Sequence, residues 1–141
     1  MQTIIGGQFT EKVIPLINDA KNKIRLVVFD WRWYPNDPAC NCQLFNQSLV
    51  RAVRRGVDCK AICNFEGIAK TLSALGIEAK KIRVANLVHA KFIIIDDNFF
   101  VIGSHNFTQN AFSSNFEASV IGEDNETTKK LSAFFDSLWQ L

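Results

Sequence analysis

A chain of 141 residues has the size of one ordinary domain, since single hydrophobic cores serve roughly 100–200 residues, and two independent catalytic domains are excluded. At 48% hydrophobic and 21% charged, with twelve Phe, it is too apolar for a disordered chain, yet its apolar runs, such as LVVF and FIII, fall far short of the roughly 20 residues of a membrane span. Sixteen Lys and Arg against fourteen Asp and Glu leave only +2, so no broad basic field holds polyanions and any phosphate binding has to be local.

The first predicted element is a helix capped by Thr10, with Val13, Ile14, Ile17 and Ala20 inward; Pro15 is late for a first-turn proline and shifts the possible start. IRLVVF, residues 24–29, reads as a buried strand. A loop from Asp30 to Asn41 carries Trp31, Arg32, Trp33 and Tyr34. A helix follows with the stripe Leu44, Phe45, Ser48, Leu49, Ala52 and Val53, ending at Arg54-Arg55-Gly56. Next come a strand at 57–63, a helix over 68–75 stopped by Gly76, and a strand at 79–84. This alternation implies parallel strands joined by right-handed crossovers. After Asn86 two strands, 91–95 and 99–102, flank Asp96-Asp97-Asn98, which is hairpin turn chemistry, so the sheet is mixed. A strand at 117–121 and a helix at 126–139 close the chain, the helix with Leu131, Phe134, Phe135 and Leu138 on one stripe. The expected fold is one α/β domain over residues 1–141, a mixed, mostly parallel sheet with helices on both faces.

Four cysteines stand at 40, 42, 59 and 63 in a spacing that is not a standard zinc pattern. Strand alternation puts Cys59 and Cys63 on one face with Val57 and Ala61, as core residues. Cys40 and Cys42, in the loop PNDPACNC, are open to metal binding, redox chemistry or neither. Met1 to Glu11 has no basic segment followed by a long apolar one, so no secretory signal is read and the cytoplasm is the expected location.

One of only two histidines opens the run His89-Ala90-Lys91 through Asp96, which continues to Gly103-Ser104-His105-Asn106 and Asn115-Phe116-Glu117. A Lys and an Asp at these offsets from either His arise by chance in about one such chain in 200, and adding Gly, Ser and Asn makes coincidence remote. HxKxxxxD followed by GSxN and NxE resembles the phospholipase D superfamily. The resemblance extends over nearly the whole chain, since a strand, a helix ending AVRRGVDCKAIC and the closing helix come in the order seen in its small bacterial nucleases. It implies a phospholipase D-like fold and a metal-independent, cofactor-free phosphodiesterase, most simply a nuclease for DNA or RNA without stable membrane association. In that family two motif copies build one site. One copy here implies a twofold homodimer with the two His89 side chains facing across the axis.

The residue types suit that chemistry. Phosphodiester cleavage needs a nucleophile, an acid for the leaving oxygen and donors for the non-bridging oxygens. The resemblance makes His89 the nucleophile, forming a phosphohistidine, and the second His89 the acid. Lys91, two residues on and hence on the same face, holds phosphate. Asn106 adds an amide donor, Ser104 hydrogen-bonds near the site, and Glu117 accepts the second ring N–H of His89. Asp96, at odd spacing from Lys91, points to the other sheet face and is structural, as are Gly103 and His105. Trp31, Arg32 and Trp33 either bind substrate by stacking and pairing or cover the sheet edge or dimer seam. Arg51, Arg54 and Arg55 read as a solvated helix end, and Lys80, Lys81 and Arg83 stay open. A lipid phosphodiesterase is the alternative. It calls for a contiguous apolar surface or an interfacial amphipathic helix beside the site, and the sequence offers none beyond a contribution from Trp31 and Trp33; a catalytically silent nucleic-acid-binding module is the other alternative.

Overall fold

Strand alternation sorts the apolar residues into two layers in the computed structural model, which describes residues 1–141. The elements are β1 (Gln2–Ile5), a single 3-10 turn (Gly6–Gln8), α1 (Phe9–Asn18), β2 (Lys23–Val27), α2 (Asn41–Arg54), β3 (Asp58–Cys63), α3 (Glu66–Ala74), β4 (Glu78–Lys81), β5 (Phe92–Ile95), β6 (Phe99–Gly103), α4 (Gln109–Ser113), β7 (Ala118–Glu123) and α5 (Asn125–Trp139). Ile24, Leu26, Cys59, Ala61, Cys63, Ile93 and Ile95 face α1 to α4 in a buried cluster of 28 residues, whereas the intervening Val27, Ile62, Phe92 and Ile94 face Phe135 and Leu138 of α5 in a cluster of eight. Helices thus cover both faces, and no helix is long and apolar enough to cross a membrane.

All seven strands share one open sheet in the order β1-β7-β6-β5-β2-β3-β4. It is mixed, as expected, but the parallel share is smaller than expected. Only β2–β3 and β3–β4 are parallel, through the crossovers α2 and α3; the other four pairings are antiparallel. The reason is that β5 docks antiparallel on β2, and the hairpin and its successors inherit that sense. The edge strand β1 and the short helix α4 are elements the sequence pattern does not announce.

Two further expectations are corrected. Leu44 stays 45% exposed and Phe134 46% exposed, although each sits on an apolar stripe. The buried face of α2 is rotated towards Cys42, Gln43, Phe45, Asn46 and Leu49, because Gln43 and Asn46 hydrogen-bond the segment after β2. The arginines at the end of α2 are a clamp as well as a solvated helix end: Arg55 donates to Ile17 O at 2.9 Å and Ala20 O at 3.0 Å, and Arg51 reaches Asn18 Oδ1 at 3.2 Å. They close the open carbonyl end of α1.

Asp96 and Asp97 have φ of 55° and 54°, the left-handed pair that a tight hairpin turn requires. The Asp96 carboxylate accepts the backbone N–H groups of Lys21, Asn22 and Lys23 at 2.8–3.0 Å, which pins the β5–β6 turn to the start of β2. Burial would raise its pKa, but those N–H donors and the charge of Lys21 outweigh it and hold the carboxyl below its ordinary value. The last residue of the motif is therefore a structural staple, far along β5 from His89.

Candidate active site

The antiparallel pairings bring the motif residues to one end of the sheet. β2 and β6 finish there while β5 and β7 begin there, so Phe29, the run His89 to Lys91, the run Ser104 to Asn106 and Glu117 come off neighbouring strand ends. Two joints fix the gathering. Gly103 N–H donates to Lys91 O at 3.4 Å, and Ser104 N–H donates to Ala118 O at 3.0 Å. Gly103 is required by proximity, since a Cβ there would lie 2.2 Å from Ser119 Oγ and 2.4 Å from Ser119 Cα.

The Lys91 ammonium donates to His89 O at 3.0 Å and stands 3.4 Å from His89 Nδ1. Both side chains lie against Phe29, the imidazole with its ring centre 5.3 Å away and the ammonium 5.9 Å from the ring centre. Phe29 stands in turn edge-on to the half-exposed Phe65 at 6.1 Å. Glu117 accepts the Ser104 hydroxyl at 2.5 Å and the Asn115 amide at 3.2 Å, and Ser104 Oγ also accepts Ala118 N–H at 3.0 Å. No hydrogen bond joins Glu117 to His89 within the chain. Asn106 Oδ1 accepts Asp30 N–H at 3.1 Å, which leaves its NH₂ group as a free donor at the site.

Asn64 and Phe29 are positioning residues that the sequence pattern does not single out. Asn64 donates to Phe29 O at 3.0 Å and Val88 O at 2.8 Å and accepts Val88 N–H at 3.0 Å, tying the chain after β2 to the residue before His89. A lone Asn after a strand carries no signal of this.

The aromatic loop divides. Trp31 is only 2% exposed, its Nε1–H donates to Asn46 Oδ1 at 2.8 Å and its ring packs edge-on against Phe107, so its assignment to substrate binding is corrected to the core. Arg32 and Trp33 instead line a cleft of about 600 Å³ with Asp30, Tyr34, Asn106 and Asn115. The Arg32 guanidinium pairs with Asp30 at 2.9 Å, whose hydrogen bond and charge raise its pKa further. His105 is buried, with Nδ1 at 2.7 Å from Ser119 Oγ and Nε2 at 2.9 Å from Gly6 O, a structural role as expected. Lys60 and Lys80 lie over the Trp139 ring at 5.3 and 5.5 Å.

The cysteines do not converge, and no three His, Cys, Asp or Glu side chains gather at a metal-binding spacing. Burial pushes the Cys59 thiol up to about 12 and the Cys63 thiol up to about 11, and raises Cys42 further still while its Sγ–H points at Phe107 O, 3.3 Å away. Protonated thiols are poor metal ligands and poor nucleophiles.

One feature corrects the expectation of no apolar surface beside the site. Val84, Leu87, Val88, Phe134, Leu138 and Leu141 line a groove of about 300 Å³ that runs up to His89. Leu87 is 67% exposed and Leu141 49%. The sequence hides the groove because its residues come from the loop before His89 and from the far end of α5.

Residues 13–139 match the family described as "Cardiolipin synthase, PLD-like domain". Human mitochondrial cardiolipin hydrolase is 31% identical over 98 residues, 70% of this chain, and the chain spans 38% of that relative's length. The crystal structure of Nuc, a phospholipase D family member from Salmonella typhimurium, superposes with a TM-score of 0.80 at 25% identity, covering 98% of this chain and 93% of Nuc. NucT from Helicobacter pylori shares the fold, with a TM-score of 0.79 at 17% identity over 98% of this chain and 94% of that one. With His89, Lys91, Ser104, Asn106 and Glu117 of the HxKxxxxD, GSxN and NxE motifs gathered at one sheet end and the family match running over most of its length, the chain belongs to the PLD-like domain family of the phospholipase D superfamily.

Proposed function

We propose that this protein is a metal-independent phosphodiesterase of nuclease type, working through a phosphohistidine at a site shared by two copies of the chain. The observation that carries the reading is the set itself: His89 beside Lys91, the free amide donor of Asn106 and the Ser104–Glu117 pair, with only one exposed histidine in the chain. In this reading both nucleophile and acid are imidazoles, so the second comes from another copy. In the first step His89 attacks phosphorus and the P–O bond to the leaving group breaks. The departing oxygen takes a proton from His89 of the partner subunit. That imidazole, now neutral, removes a proton from water, which attacks phosphorus and breaks the P–N bond. Lys91 and Asn106 meet the non-bridging oxygens in both steps. Glu117 reaches no imidazole of its own chain, and the ring it orients is His89 of the partner subunit.

Buried free thiols fit a reducing, cytoplasmic setting. The apolar groove at His89 favours a second reading, a lipid phosphodiesterase with an acyl chain in the groove. One assay separates the two: DNA, RNA and cardiolipin vesicles are each incubated with the protein in excess EDTA, beside His89→Ala. Cleavage of oligonucleotides that survives EDTA and is lost in His89→Ala is expected. Activity on vesicles alone selects the lipid reading, and activity restored only by added magnesium overturns the mechanism.

A further inference from the structure

The cleft of about 600 Å³ beside the catalytic set has room for a group the size of a nucleoside, small-ligand pockets running about 300–1,000 Å³. It begins at the site. Asn106, the phosphate donor, and Asn115, which holds Glu117, both stand in its wall. Whatever occupies it is attached close to the reacting phosphate.

The lining selects among the parts of a diester substrate. Arg32 is the cation of the cleft and Asp30 neutralises it at 2.9 Å, so a second phosphate finds no unpaired positive charge. An acyl chain would desolvate amides and a carboxylate with nothing in return. A flat, neutral ring with a polar edge fits. Trp33 and Tyr34 supply aromatic surface, and the side-chain amide of Asn110 and the NH₂ of Asn106 make no hydrogen bond within the chain. The wall is also built in advance. Tyr34 N–H donates to Gln43 Oε1 at 2.8 Å, the Tyr34 hydroxyl accepts Gln109 N–H at 2.8 Å, and Gln109 Oε1 accepts Cys42 N–H at 3.0 Å. These bonds tie the loop after β2 to α2 and α4, so little ordering remains to oppose binding.

The geometry points to a nucleobase subsite: the base of a nucleotide flanking the scissile phosphate lies against Trp33, and its polar edge meets the side-chain amide of Asn110. This deepens the nuclease reading and rests on it.

The test uses adenine trinucleotides with one ordinary phosphodiester and one methylphosphonate, so that a single linkage is cleavable. Each is compared with a version abasic on one side of that linkage or on the other, and with bis(p-nitrophenyl) phosphate. For wild type, kcat/KM with the base present should exceed the abasic value about tenfold or more on one flank. In Trp33→Ala that ratio should collapse towards one, while Trp33→Phe keeps most of it. Asn110→Ala, at an exposed position, should lower the ratio about threefold and serves if Trp33→Ala folds poorly. A wild-type ratio near one on both flanks, or one that Trp33→Ala and Asn110→Ala leave intact, overturns the subsite alone. Wild type that hydrolyses bis(p-nitrophenyl) phosphate but no trinucleotide overturns the nuclease reading, and the subsite with it.

Discussion

Asn64 carries no chemistry of its own, yet its amide joins Phe29 O, Val88 O and Val88 N–H, and so decides where His89 stands. Asn64→Ala removes all three bonds and lets the run before His89 relax away from Phe29. A displacement of about 1 Å at a nucleophile can cost up to a hundredfold, so kcat on bis(p-nitrophenyl) phosphate should fall at least tenfold. Asn64→Asp keeps the acceptor for Val88 N–H and should fall less. Stopped-assay kinetics on both variants check this, and an unchanged kcat in Asn64→Ala removes Asn64 from the positioning apparatus. His105 answers to different physics. Gly6 O can only accept, so Nε2 carries the proton and Nδ1 accepts from the Ser119 hydroxyl. Burial lowers its pKa below 6.5, against the opposing pull of the Gly6 carbonyl and Glu117. Because the unfolded chain then binds the proton more readily, the neutral ring's contribution is complete above about pH 6.5 and is lost as pH falls through the folded pKa. Thermal unfolding followed from pH 7.5 to 5 should show Tm decreasing below pH 6.5. His105→Gln should start from a lower Tm and decline less steeply over that window.

The β5–β6 hairpin shows how one residue of the motif serves an element instead of the reaction. Asp96→Ala deletes an acceptor for three backbone N–H groups and leaves an alanine at a left-handed φ, a loss of about 2–4 kcal/mol. Asp96→Asn tolerates that φ and keeps one amide oxygen, so about 1 kcal/mol is expected. Urea unfolding measures both, and the folded fraction of each should retain its rate, because Asp96 and His89 sit at opposite ends of β5. This role was legible from parity and turn chemistry alone: an odd step from Lys91 reverses the face, and Asp-Asp-Asn favours a turn. Legibility failed where the deciding partner is distant in sequence. β1 is four residues long and gains its hydrogen bonds from β7, on the other side of the chain's whole length, which no local pattern registers. The apolar stripe misplaces the inward face of α2 at Leu44 because burial of Gln43 and Asn46 is favourable only once Tyr34, Arg32 and Trp31 are there to be bonded. Trp31 was ambiguous for the same reason: a tryptophan after a strand looks alike as a stacking surface and as a core residue until its Nε1 finds Asn46.

At the scale of the molecule, the motif residues at the site are gathered by the sense of the sheet, whereas the proposed shared site calls for a second copy. The groove at His89 bears on both. Val84, Leu87, Phe134 and Leu141 are between 42% and 67% exposed and lie together beside His89, an apolar surface that water does not favour leaving open. If two His89 face across a twofold axis, the groove enters the seam, and an acidic group there would be buried against hydrocarbon and against its own symmetry mate. Leu87→Asp places that group at the most exposed of these positions without touching the packed core. Light scattering should give wild type twice the 15.9 kDa chain mass and the variant the single-chain mass. With the second imidazole gone, hydrolysis of oligonucleotides by Leu87→Asp should fall at least a hundredfold, the scale of a lost acid catalyst. The lipid reading predicts a different pattern, because a phospholipid diester needs the same two imidazoles: both proteins keep the two-chain mass, and Leu87→Asp loses vesicle hydrolysis because the groove no longer takes an acyl chain. A Leu87→Asp variant that is monomeric and fully active on oligonucleotides would remove the shared site, because one chain would then be supplying both nucleophile and acid from a single His89.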